Sequence, residues 1–435
     1  MFVLNDTPLD PTALHPRLQQ ALGDDLHHRY ALRMRDTGLG LATLLYLKDH
    51  KAGVFPIHAG IPAEAAKQMA TKAGCDWFLE DDLVPKPLPR QPGQTASARP
   101  GAGVLVQMSS GTTGAAKVIT RSWDSISTEV RHYANFFASA AKMTPVIACP
   151  VTHSYGLIPG VLVALHRGHV PVIIDAVNPK YILRRLREVS NPVLYTSPAM
   201  LHTLAKLLPR DEELNAAVTS GTVLPDPWFQ LIRARTRHLF QQYGCSEVGC
   251  IAINQDLQAP CDVGHPLPHL DLQAGAAPDT PGPVCVQLTT GGLATTDAAG
   301  GNWVETGDLG YLAADGGLVF TARADDMINV AGLNVYPQDV ERAVMGLPGV
   351  EDAVAFRMPD PQAGARVGLL FVSTTLSETQ LRAQCADLLA DHQKPAQLRR
   401  LPALPRQANG KISRRDIAER YASGTDHTAD QQVPA

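Results

Sequence analysis

The first half of the chain alternates between helical stretches and short apolar runs. Helices are predicted over 41–47, 63–73, 181–189 and 199–208, the second from apolar residues at three- and four-residue spacing. Buried strands are predicted from the apolar runs at 53–57, 104–108, 146–149, 170–174 and 193–195. Because strands that alternate with helices form parallel sheets covered by those helices, the pattern predicts an α/β domain.

The pattern changes in the second half of the chain. Gly-rich turns and short strands over 275–317 predict a β-rich subdomain at 260–322, within a large domain that spans 1–324. A compact α+β module is predicted over 325–422, with helices at 337–345 and 377–390 and strands at 350–357 and 367–373. Residues 85–103 are rich in proline and glycine and predict an exposed connection, and the polar tail at 423–435 is expected to be disordered.

Composition excludes several classes of protein. A chain of 435 residues exceeds one ordinary core and indicates two or three domains. The 38 Lys and Arg against 42 Asp and Glu give a formal net charge of −4, which argues against a partner that is nucleic acid or an anionic membrane.

Membrane insertion and secretion are not expected either. The longest stretch without Asp, Glu, Lys or Arg, which contains residues 144–165, is interrupted by three prolines, so no transmembrane helix is predicted. The N-terminal sequence MFVLNDTPLD lacks the basic and apolar regions of a signal peptide. The seven cysteines form no C-x-x-C pair, so we expect reduced thiols and a cytoplasmic location.

A run rich in Gly, Ser and Thr follows the predicted strand at 104–108. Its glycines let backbone N–H groups wrap an anion, while its hydroxyls and lysine add further donors. It is not a Walker loop, because the lysine follows the second glycine by three positions. Phosphate binding and a plain mobile turn are the two interpretations. The residues concerned are Ser109, Ser110, Gly111, Thr112, Thr113, Gly114 and Lys117.

Three further motifs carry groups that suit a nucleotide. Residues 242–247 (QYGCSE) put an aromatic ring, a hydroxyl and a carboxylate in one predicted loop, which suits a base, a phosphate and a divalent cation, or else a capped strand-to-helix turn. Asp308 in a TGD motif and Arg323 offer acceptors and donors for a ribose, or else an ordinary acid in a Gly turn. Lys411 lies on a predicted turn, where a solvated charge is the ordinary alternative.

Taken together and in this order, the motifs strongly resemble the acyl-adenylate-forming (AMP-binding) superfamily. Its members include acyl-CoA synthetases, 4-coumarate and other aryl-CoA ligases, nonribosomal-peptide adenylation domains and luciferase. The resemblance covers about 40–420 and rests on the phosphate loop, QYGCSE, TGD, RADDMINVAGLNVYPQDVE at 323–341 and PRQANGK at 405–411. It implies a large N-terminal domain of helix-flanked β-sheets plus a β-rich subdomain, and a small mobile α+β C-terminal lid domain.

The resemblance also implies a reaction and a set of ligands. An ATP-dependent ligase of this kind, with magnesium, converts a carboxylic acid to an acyl-adenylate and transfers the acyl group to coenzyme A or to the phosphopantetheine of an acyl carrier protein. The loop at 109–117 would hold the β- and γ-phosphates. Tyr243 beside Gly244 would stack on adenine, Ser246 would bond the α-phosphate, and Glu247 would ligate Mg²⁺. Asp308, supported by Arg323, would accept the ribose hydroxyls, and Lys411 would bridge carboxylate and phosphate.

Further roles are implied at the hinge and in the acid pocket. Asp325 matches the hinge of the lid, and Gly332 would line the thiol tunnel. His153, in a stretch at 150–157 similar to that of 4-coumarate-type ligases, would lie near the reacting carboxylate. That stretch has no Asp to pair a substrate ammonium, which disfavours amino acids. The pocket border is expected to include Ser220, Gly221, Thr222, Val248 and Gly249.

Two departures from the family pattern affect these expectations. Alanines precede Lys117 where the family usually has proline, which predicts an adjusted but working loop. The phosphate loop begins earlier in the chain than in most members, so we expect an abbreviated first subdomain and either a monomer or a homodimer.

The preferred hypothesis is a ligase for an aryl or other small carboxylic acid. The alternatives are a fatty acyl-AMP or acyl-CoA ligase, a catalytically silent nucleotide-binding protein, and a hydrolase acting through Ser246. The silent protein is disfavoured because Glu247, Asp308 and Lys411 are all present, and the hydrolase because G-x-S-x-G is not matched.

Overall fold

The chain divides into two compact units. The computed structural model describes residues 1–89, 103–109, 117–175, 178–288, 303–407 and 410–421. The larger unit comprises Met1–Val223, Leu231–Thr306 and Gly310–Phe320, and the smaller comprises Leu224–Gln230, Gly307–Leu309 and Thr321–Ala435. The domain boundaries expected from the sequence, at 324/325 and 422/423, stay a prediction.

The N-terminal part of the chain forms a six-stranded sheet. The elements of this part are β1 (Phe2–Leu4), β2 (Thr7–Leu9), α1 (His15–Leu22), β3 (Arg29–Leu32), α2 (Thr37–Asp49), β4 (Gly53–Pro56), α3 (Ala63–Lys72), β5 (Trp77–Leu79), β6 (Lys86–Pro87), β7 (Val104–Ser109) and β8 (Lys117–Ser122). Of these strands, β1 and β2 belong to the second, larger sheet. The six-stranded sheet has the order β6-β5-β3-β4-β7-β8, with parallel central strands and antiparallel edges. Edge strand β6 lies where only an exposed connection was predicted.

Helix α2 begins four residues before its predicted start. The Asp36 carboxylate accepts a hydrogen bond from Leu39 N–H at 3.0 Å and so caps the first turn. The helix is apolar on every side, and nine of its residues are buried, as expected for a helix enclosed by its neighbours.

The middle of the chain forms the centre of a second, larger sheet. The elements are α4 (Trp123–Phe136), β9 (Thr144–Ala148), a π-helix (Gly156–Leu162), α5 (Val163–His166), β10 (Val172–Ile173), α6 (Pro179–Glu188), β11 (Pro192–Thr196), α7 (Pro198–Leu207), β12 (Leu214–Ser220), α8 (Asp226–Ala234), β13 (Thr236–Cys245) and β14 (Gly249–Asn254). Strands β13-β12-β11-β9-β10-β1 are neighbours in this order and all run parallel. The predicted α/β organisation is therefore confirmed.

Antiparallel strands extend the same sheet beyond β14. They are β15 (Asp262–Pro266), β16 (Leu270–Gln273), β17 (Gly282–Leu288), β18 (Trp303–Leu312) and β19 (Leu318–Arg323), in the order β16-β17-β18-β19-β15-β14. The described residues between 262 and 323 contain no helix, so the β-rich part of the predicted fold is confirmed.

Aromatic side chains join helix α4 to the large sheet. The Tyr133 and Phe137 ring centroids lie 5.7 Å apart, and Phe137 packs edge-on against Phe240 of β13 at 4.9 Å. All three residues are buried. Ile126 and Val130 of α4 belong to the same core, since residues at helical spacing share one face.

The C-terminal module is a small α+β structure with its own core. It contains β20 (Ile328–Val330), β21 (Leu333–Val335), α9 (Pro337–Met345), β22 (Asp352–Asp360), β23 (Gly364–Val372), α10 (Glu378–Leu388), β24 (Gln397–Leu401) and α11 (Arg414–Tyr421). β22 pairs antiparallel and β24 parallel with β23. The core residues are Val354, Phe356, Leu370, Leu404 and Ile417. Among the helices that the structure describes, in either unit, none is long and apolar enough to cross a membrane.

Candidate functional site

The predicted acid and nucleotide segments follow the carboxyl ends of neighbouring parallel strands. β9, β11, β12 and β13 are adjacent and parallel, and Ser220 of β12 lies opposite Gln242 of β13. His153 comes five residues after β9, Ser220 ends β12, and Tyr243 lies near the end of β13. Because ligands of open α/β sheets bind outside the carboxyl ends of the strands, this edge is the candidate functional site.

Six of the predicted residues lie on one β-hairpin. The antiparallel strands β13 and β14 are joined by the turn 246–248, with Cys245 opposite Gly249 and a register shift between Tyr243 and Gly244. The prediction of a loop or a strand-to-helix turn over 242–247 was therefore wrong. The hairpin carries Tyr243, Gly244, Ser246, Glu247, Val248 and Gly249.

The two glycines of this hairpin are required by close packing. A Cβ atom on Gly244 would lie 2.1 Å from the carbonyl oxygen of Gly249. Gly249 itself has φ +96°, and a Cβ there would lie 2.3 Å from Oε2 of Glu129. Gly249 therefore makes room for a buried carboxylate of the protein, while its predicted place on the border of the acid pocket stays a prediction.

Tyr243 is tied to the β-rich part of the larger unit. Its phenol OH donates to Thr306 Oγ1 at 3.2 Å, and that hydroxyl donates to the carbonyl of Val284 at 2.9 Å. This chain of hydrogen bonds fixes the hydroxyl end of the half-buried ring, which helps to position the side chain as a stacking platform. Sequence reasoning placed Thr306 in the TGD motif and missed its contact with Tyr243.

Asp308 and Arg323 meet within the smaller unit. Arg323 Nε lies 3.2 Å from Oδ1 of the buried Asp308, and Arg323 Nη2 lies 3.9 Å from Oδ2 of Asp325. Asp308 lies inside strand β18 instead of a Gly turn, so that alternative was wrong. The contact fits the predicted support of Asp308 by Arg323, whose role at a ribose stays a prediction.

The ends of the predicted phosphate loop are held together by two strands. Ser109 ends β7, Lys117 begins β8, and these two residues are paired in the antiparallel register. Lys117 is exposed. The rest of the predicted loop, 110–116 with Ser110, Gly111, Thr112, Thr113 and Gly114, lies outside the described residues.

The acid-side segment at 150–157 turns directly into the π-helix. His153 is exposed, and its carbonyl accepts from Leu157 N–H at 2.9 Å. A Cβ on Gly156 would lie 2.5 Å from the carbonyl oxygen of Pro150, so this glycine permits the tight reversal. π-Helices are rare and concentrate at functional sites, and the sequence pattern did not predict this one.

The phenol groups of Tyr155, Tyr195 and Tyr133 lie in or against the core near this edge of the sheet. Tyr155 OH donates to the carbonyl of Val218 at 2.7 Å, and Tyr133 OH donates to Oε1 of Gln242 at 3.0 Å. The Tyr155 and Tyr195 ring centroids are 5.8 Å apart. Burial raises the pKa of Tyr195 to about 12 and raises the pKa of Tyr155 and of Tyr133 well above the ordinary value. The three phenols are therefore neutral donors at physiological pH.

The predicted pocket residues after β12 lie on an open turn. Ser220 is half-buried, whereas Gly221 and Thr222 are exposed. Gly221 has φ +93°, a conformation that residues with a side chain disfavour, so the turn requires glycine at this position. Val248 of the neighbouring hairpin is buried.

Lys411 lies on an exposed turn of the smaller unit. Gln407 N–H donates to the carbonyl of Lys411 at 2.8 Å, and Gly410 N–H donates to the carbonyl of Gln407 at 2.8 Å. Arg406 Nη1 adds a hydrogen bond to the carbonyl of Gly410 at 3.2 Å. These bonds hold the backbone beside Lys411, whose side chain is exposed. The predicted turn includes Asn409, which lies outside the described residues.

Asp325 adjoins a buried ionic cluster within the smaller unit. Asp325 belongs to the 3₁₀ turn Ala324–Asp326. The next carboxylate, Asp326 Oδ2, lies 2.7 Å from Arg414 Nη1, and Arg414 Nη2 contacts both oxygens of Glu341 at 2.9 Å. Desolvation opposes the charge of Arg414, but the neighbouring Glu341 and Asp326 carboxylates raise the pKa of its guanidinium overall. The chain is thus anchored one residue after the predicted hinge.

Gly332 lies in the tight turn between β20 and β21. Ala331 and Gly332 have φ +51° and +89°, so the turn requires two left-handed residues. Gly332 N–H donates to Asn329 Oδ1 at 3.0 Å, and a Cβ on Gly332 would meet no atom of the described residues within 4 Å. Backbone conformation therefore accounts for this glycine, and a role in the thiol tunnel stays a prediction.

Sequence reasoning missed two charged residues behind the hairpin. Arg121 of β8 and Glu129 of α4 form a buried ion pair, with Arg121 Nη2 2.7 Å from Glu129 Oε2. Glu129 Oε1 accepts from Cys250 N–H at 2.8 Å. The available signal was an acid on the apolar face of an amphipathic helix, beside Ile126 and Val130.

Comparisons with known proteins agree with this geometry. The model of the AMP-binding enzyme family matches residues 42–287, and that of the AMP-binding enzyme C-terminal domain matches residues 339–411. A 3,4-dihydroxybenzoate–[aryl-carrier protein] ligase of Bacillus anthracis is 33% identical over 402 residues, covering 92% of each chain. A 2-succinylbenzoate–CoA ligase of Lactococcus lactis is 25% identical over 320 residues, covering 72% of this chain and 70% of its own.

Solved structures share the fold. An o-succinylbenzoate CoA synthetase from Bacillus subtilis, in complex with its acyl-adenylate intermediate, superposes with a TM-score of 0.77 at 20% identity, covering 96% of this chain and 94% of its own. The ATP-bound MatB protein from Rhodopseudomonas palustris gives a TM-score of 0.77 at 19% identity, covering 95% and 91%. With family models that match both parts of the sequence, the chain belongs to the AMP-binding enzyme family.

Proposed function

We propose that this protein activates an aryl or other small carboxylic acid with ATP and passes the acyl group to a thiol. The observation that carries the proposal is the edge formed by the parallel strands β9, β11, β12 and β13. The acid-side segment follows β9 and the hairpin begins with β13, with β11 and β12 between them. An acid bound after β9 and a nucleotide bound along the hairpin would share the carboxyl edge of one sheet.

The reaction has two steps. A carboxylate oxygen of the acid attacks the α-phosphorus of ATP, the bond to the pyrophosphate oxygen breaks, and an acyl-adenylate and pyrophosphate form. A thiolate sulfur then attacks the acyl carbon, and the bond to the phosphate oxygen breaks to release AMP. The substrates of the first step are anions, so positive charge and hydrogen-bond donors are needed where they meet.

Residues of the larger unit supply the nucleotide contacts in this proposal. Lys117 and the donors of the loop at 109–117 bind the β- and γ-phosphates, Ser246 donates to the α-phosphate, and Tyr243 stacks on adenine. The hydrogen bond from Tyr243 to Thr306 at 3.2 Å supports that role, since it fixes the position of the hydroxyl end of the ring.

A magnesium ion fits the donor set of the hairpin turn. Mg²⁺ is commonly held by one or two carboxylates together with phosphate oxygens and water. The described residues contain no group of three or more acidic, His or Cys side chains able to hold a metal, so Glu247 would be the protein's contribution and ATP would supply the rest. When bound, the ion neutralises charge on the phosphate oxygens.

Residues of the smaller unit have separate roles. Asp308, held by Arg323 at 3.2 Å, accepts the ribose hydroxyls. Lys411, whose side chain is exposed, supplies positive charge to the carboxylate and the α-phosphate. Asp325 serves as the hinge of the lid, which changes orientation between the first and the second half-reaction.

The acid side favours an uncharged, hydroxylated ring. The segment at 150–157 contains no carboxylate to pair a substrate ammonium. Tyr195 and Tyr133 are buried, Tyr155 is half-buried, and the raised pKa of each keeps these three phenols uncharged. The 33% identical relative is named for 3,4-dihydroxybenzoate and an aryl-carrier protein, which supports an aryl acid and a carrier protein as the acceptor.

Pyrophosphate exchange with a panel of acids tests the proposal. Benzoate, 2,3- and 3,4-dihydroxybenzoate, a medium-chain fatty acid and an amino acid are each offered with ATP, Mg²⁺ and labelled pyrophosphate. We expect labelled ATP with an aryl acid and little with the fatty acid or the amino acid. Exchange with the fatty acid alone would support the fatty acyl alternative, and no exchange with any acid would contradict the proposal.

The thiol acceptor is tested separately. Coenzyme A and a holo-aryl-carrier protein are offered with the best acid of the panel, and thioester formation is followed by mass spectrometry. We expect faster transfer to the carrier protein. Transfer to coenzyme A alone would assign the protein to the CoA ligases, while leaving acid activation intact.

A further inference from the structure

A buried ion pair lies directly behind the hairpin that carries Tyr243, Ser246 and Glu247. Arg121 on β8 and Glu129 on α4 are 2.7 Å apart, with 4% and 1% of their side chains exposed. A buried ion pair generally adds little net stability, because desolvation of the two charges offsets their attraction. Its presence in the core therefore needs an explanation other than stability.

Glu129 contacts the return strand of the hairpin through one oxygen and Arg121 of β8 through the other. Oε1 accepts from Cys250 N–H at 2.8 Å, and Oε2 faces Arg121. Gly249 packs against the pair, since a Cβ there would lie 2.3 Å from Glu129 Oε2 and 2.5 Å from Arg121 Nη1. The Arg121–Glu129 pair thus fills the space that a side chain at position 249 would occupy.

The same pair is connected to the phosphate-loop side of the sheet. Arg121 lies on β8, four residues after Lys117, and Cys250 lies three residues after Glu247. Two segments that are far apart in sequence are thereby tied by one carboxylate. Arg121 Nε and Nη1 and Glu129 Oε2 have no hydrogen-bond partner among the described residues, so the charge of Glu129 is the counter-ion that this guanidinium depends on.

We propose that Arg121 and Glu129 are positioning residues that set the distance between strand β8 and the turn 246–248, and with it the placement of Glu247 for Mg²⁺-bound ATP. The inference rests on the proposed function of the hairpin and goes beyond it, because neither residue need touch the ligand. Outer contacts that orient a metal ligand typically change metal affinity or activity by about 10- to 100-fold when they are removed.

Three variants separate positioning from folding. Glu129→Gln keeps an oxygen for Cys250 N–H and removes the charge that Arg121 needs. The double variant R121M/E129M replaces the pair by apolar side chains, which cores often tolerate. Glu213→Gln is the control, because Glu213 forms an exposed pair at 2.6 Å with Arg237, on the same strand β13 as Tyr243.

Binding of ATP is measured by calorimetry with saturating Mg²⁺ and with EDTA, without any acid, beside thermal unfolding. We expect Glu129→Gln and the double variant to weaken ATP binding about tenfold or more with Mg²⁺, and less than threefold with EDTA. We expect the double variant to unfold near the wild-type temperature, and Glu213→Gln to match the wild type throughout. A purely structural role would lower the unfolding temperature without changing the Mg²⁺-dependent part of ATP affinity.

Several results would overturn the positioning role. One is a folded Glu129→Gln or double variant whose ATP affinity with Mg²⁺ stays within twofold of wild type. Another is an equal loss of affinity with Mg²⁺ and with EDTA. Failure of both variants to fold would also overturn it, since the pair would then be needed to build the domain. A wild-type protein that binds Mg²⁺-ATP but exchanges no pyrophosphate would contradict the proposed reaction and leave the positioning role standing.

Discussion

Replacing Arg414 by methionine should destabilise the smaller unit more than any nearby surface change. Its guanidinium contacts three elements: Asp326 of the 3₁₀ turn at 2.7 Å, both oxygens of Glu341 on α9 at 2.9 Å, and the carbonyl of Ala355 on β22 at 3.1 Å. Arg414 itself begins α11. One side chain thus joins four parts of the module, and methionine retains its length but none of these contacts.

The expected magnitude follows from the charges that the substitution would leave behind. Removing one partner of a buried ion pair typically costs about 3–5 kcal/mol, because the remaining charge has no counter-ion. Arg414 has 23% of its side chain exposed, so water compensates part of the loss. Burial already raises the pKa of Glu341, so this group can also lose its charge by taking up a proton. We therefore expect about 3 kcal/mol, at the lower end of the range.

Hydrogen exchange of the β22–β23 amides measures this loss directly. A destabilisation of about 3 kcal/mol corresponds to opening that is roughly 100-fold more frequent, since about 1.4 kcal/mol is a factor of ten. Arg415→Met is the matched control: the neighbouring arginine is half exposed and pairs with Glu419 at 2.8 Å, one helical turn away, so its loss should cost about 0.5 kcal/mol or less. Exchange in R414M within threefold of R415M would refute the role of the cluster.

Three further predictions concern the half-reactions and pH. Lys411→Ala should abolish pyrophosphate exchange and leave conversion of supplied acyl-adenylate to thioester largely intact; equal losses in both would contradict its assignment to the first step. Asp325→Pro should leave exchange near wild type and cripple thioester formation, and an unchanged overall rate would remove Asp325 as the hinge. Burial, with the charges of His132, Arg121 and Arg131, lowers the pKa of His269 to about 4, so the folded state keeps this imidazole neutral while the unfolded state binds a proton below about pH 6.5. The free energy of unfolding should therefore fall by up to about 3 kcal/mol between pH 6.5 and 4; His269→Gln should remove that part of the slope in urea titrations, and an unchanged slope would contradict it.

Local sequence signals predicted the elements better than their partners. The helix over Pro337–Met345 was predicted with its observed bounds, and the strand Asp352–Asp360 overlaps the strand predicted at 350–357. The segment at 242–247 was misassigned because its conformation depends on pairing: β13 lies between the parallel strand β12 and the antiparallel strand β14. The parallel pairing with β12 joins residues that are distant in sequence, which a local apolar period does not encode.

The residues expected to contact the ligand were recognised from the sequence, whereas the residues that support them from inside the protein were not. Ser246, Glu247 and Lys411 are recognisable because a nucleotide demands the same chemical groups wherever it is bound. Arg121 and Glu129 instead make contacts inside the protein, at positions where the periodic pattern predicts apolar side chains. Their pairing follows only once β8 and α4 are known to be adjacent.

The hairpin glycines show why this distinction matters for function. A glycine beside a predicted pocket suggests room for the substrate, yet the space beside Gly249 is filled by the Arg121–Glu129 pair. Enlarging residue 249 should then disturb the hairpin before it narrows any pocket, because the added methyl meets a carboxylate that also holds Cys250 N–H. The choice of acid would then depend on residues other than Gly249. Tyr155 donates its hydroxyl to the carbonyl of Val218 at 2.7 Å, and its ring lies beside that of Tyr195. These two phenols supply polar groups near that edge of the sheet.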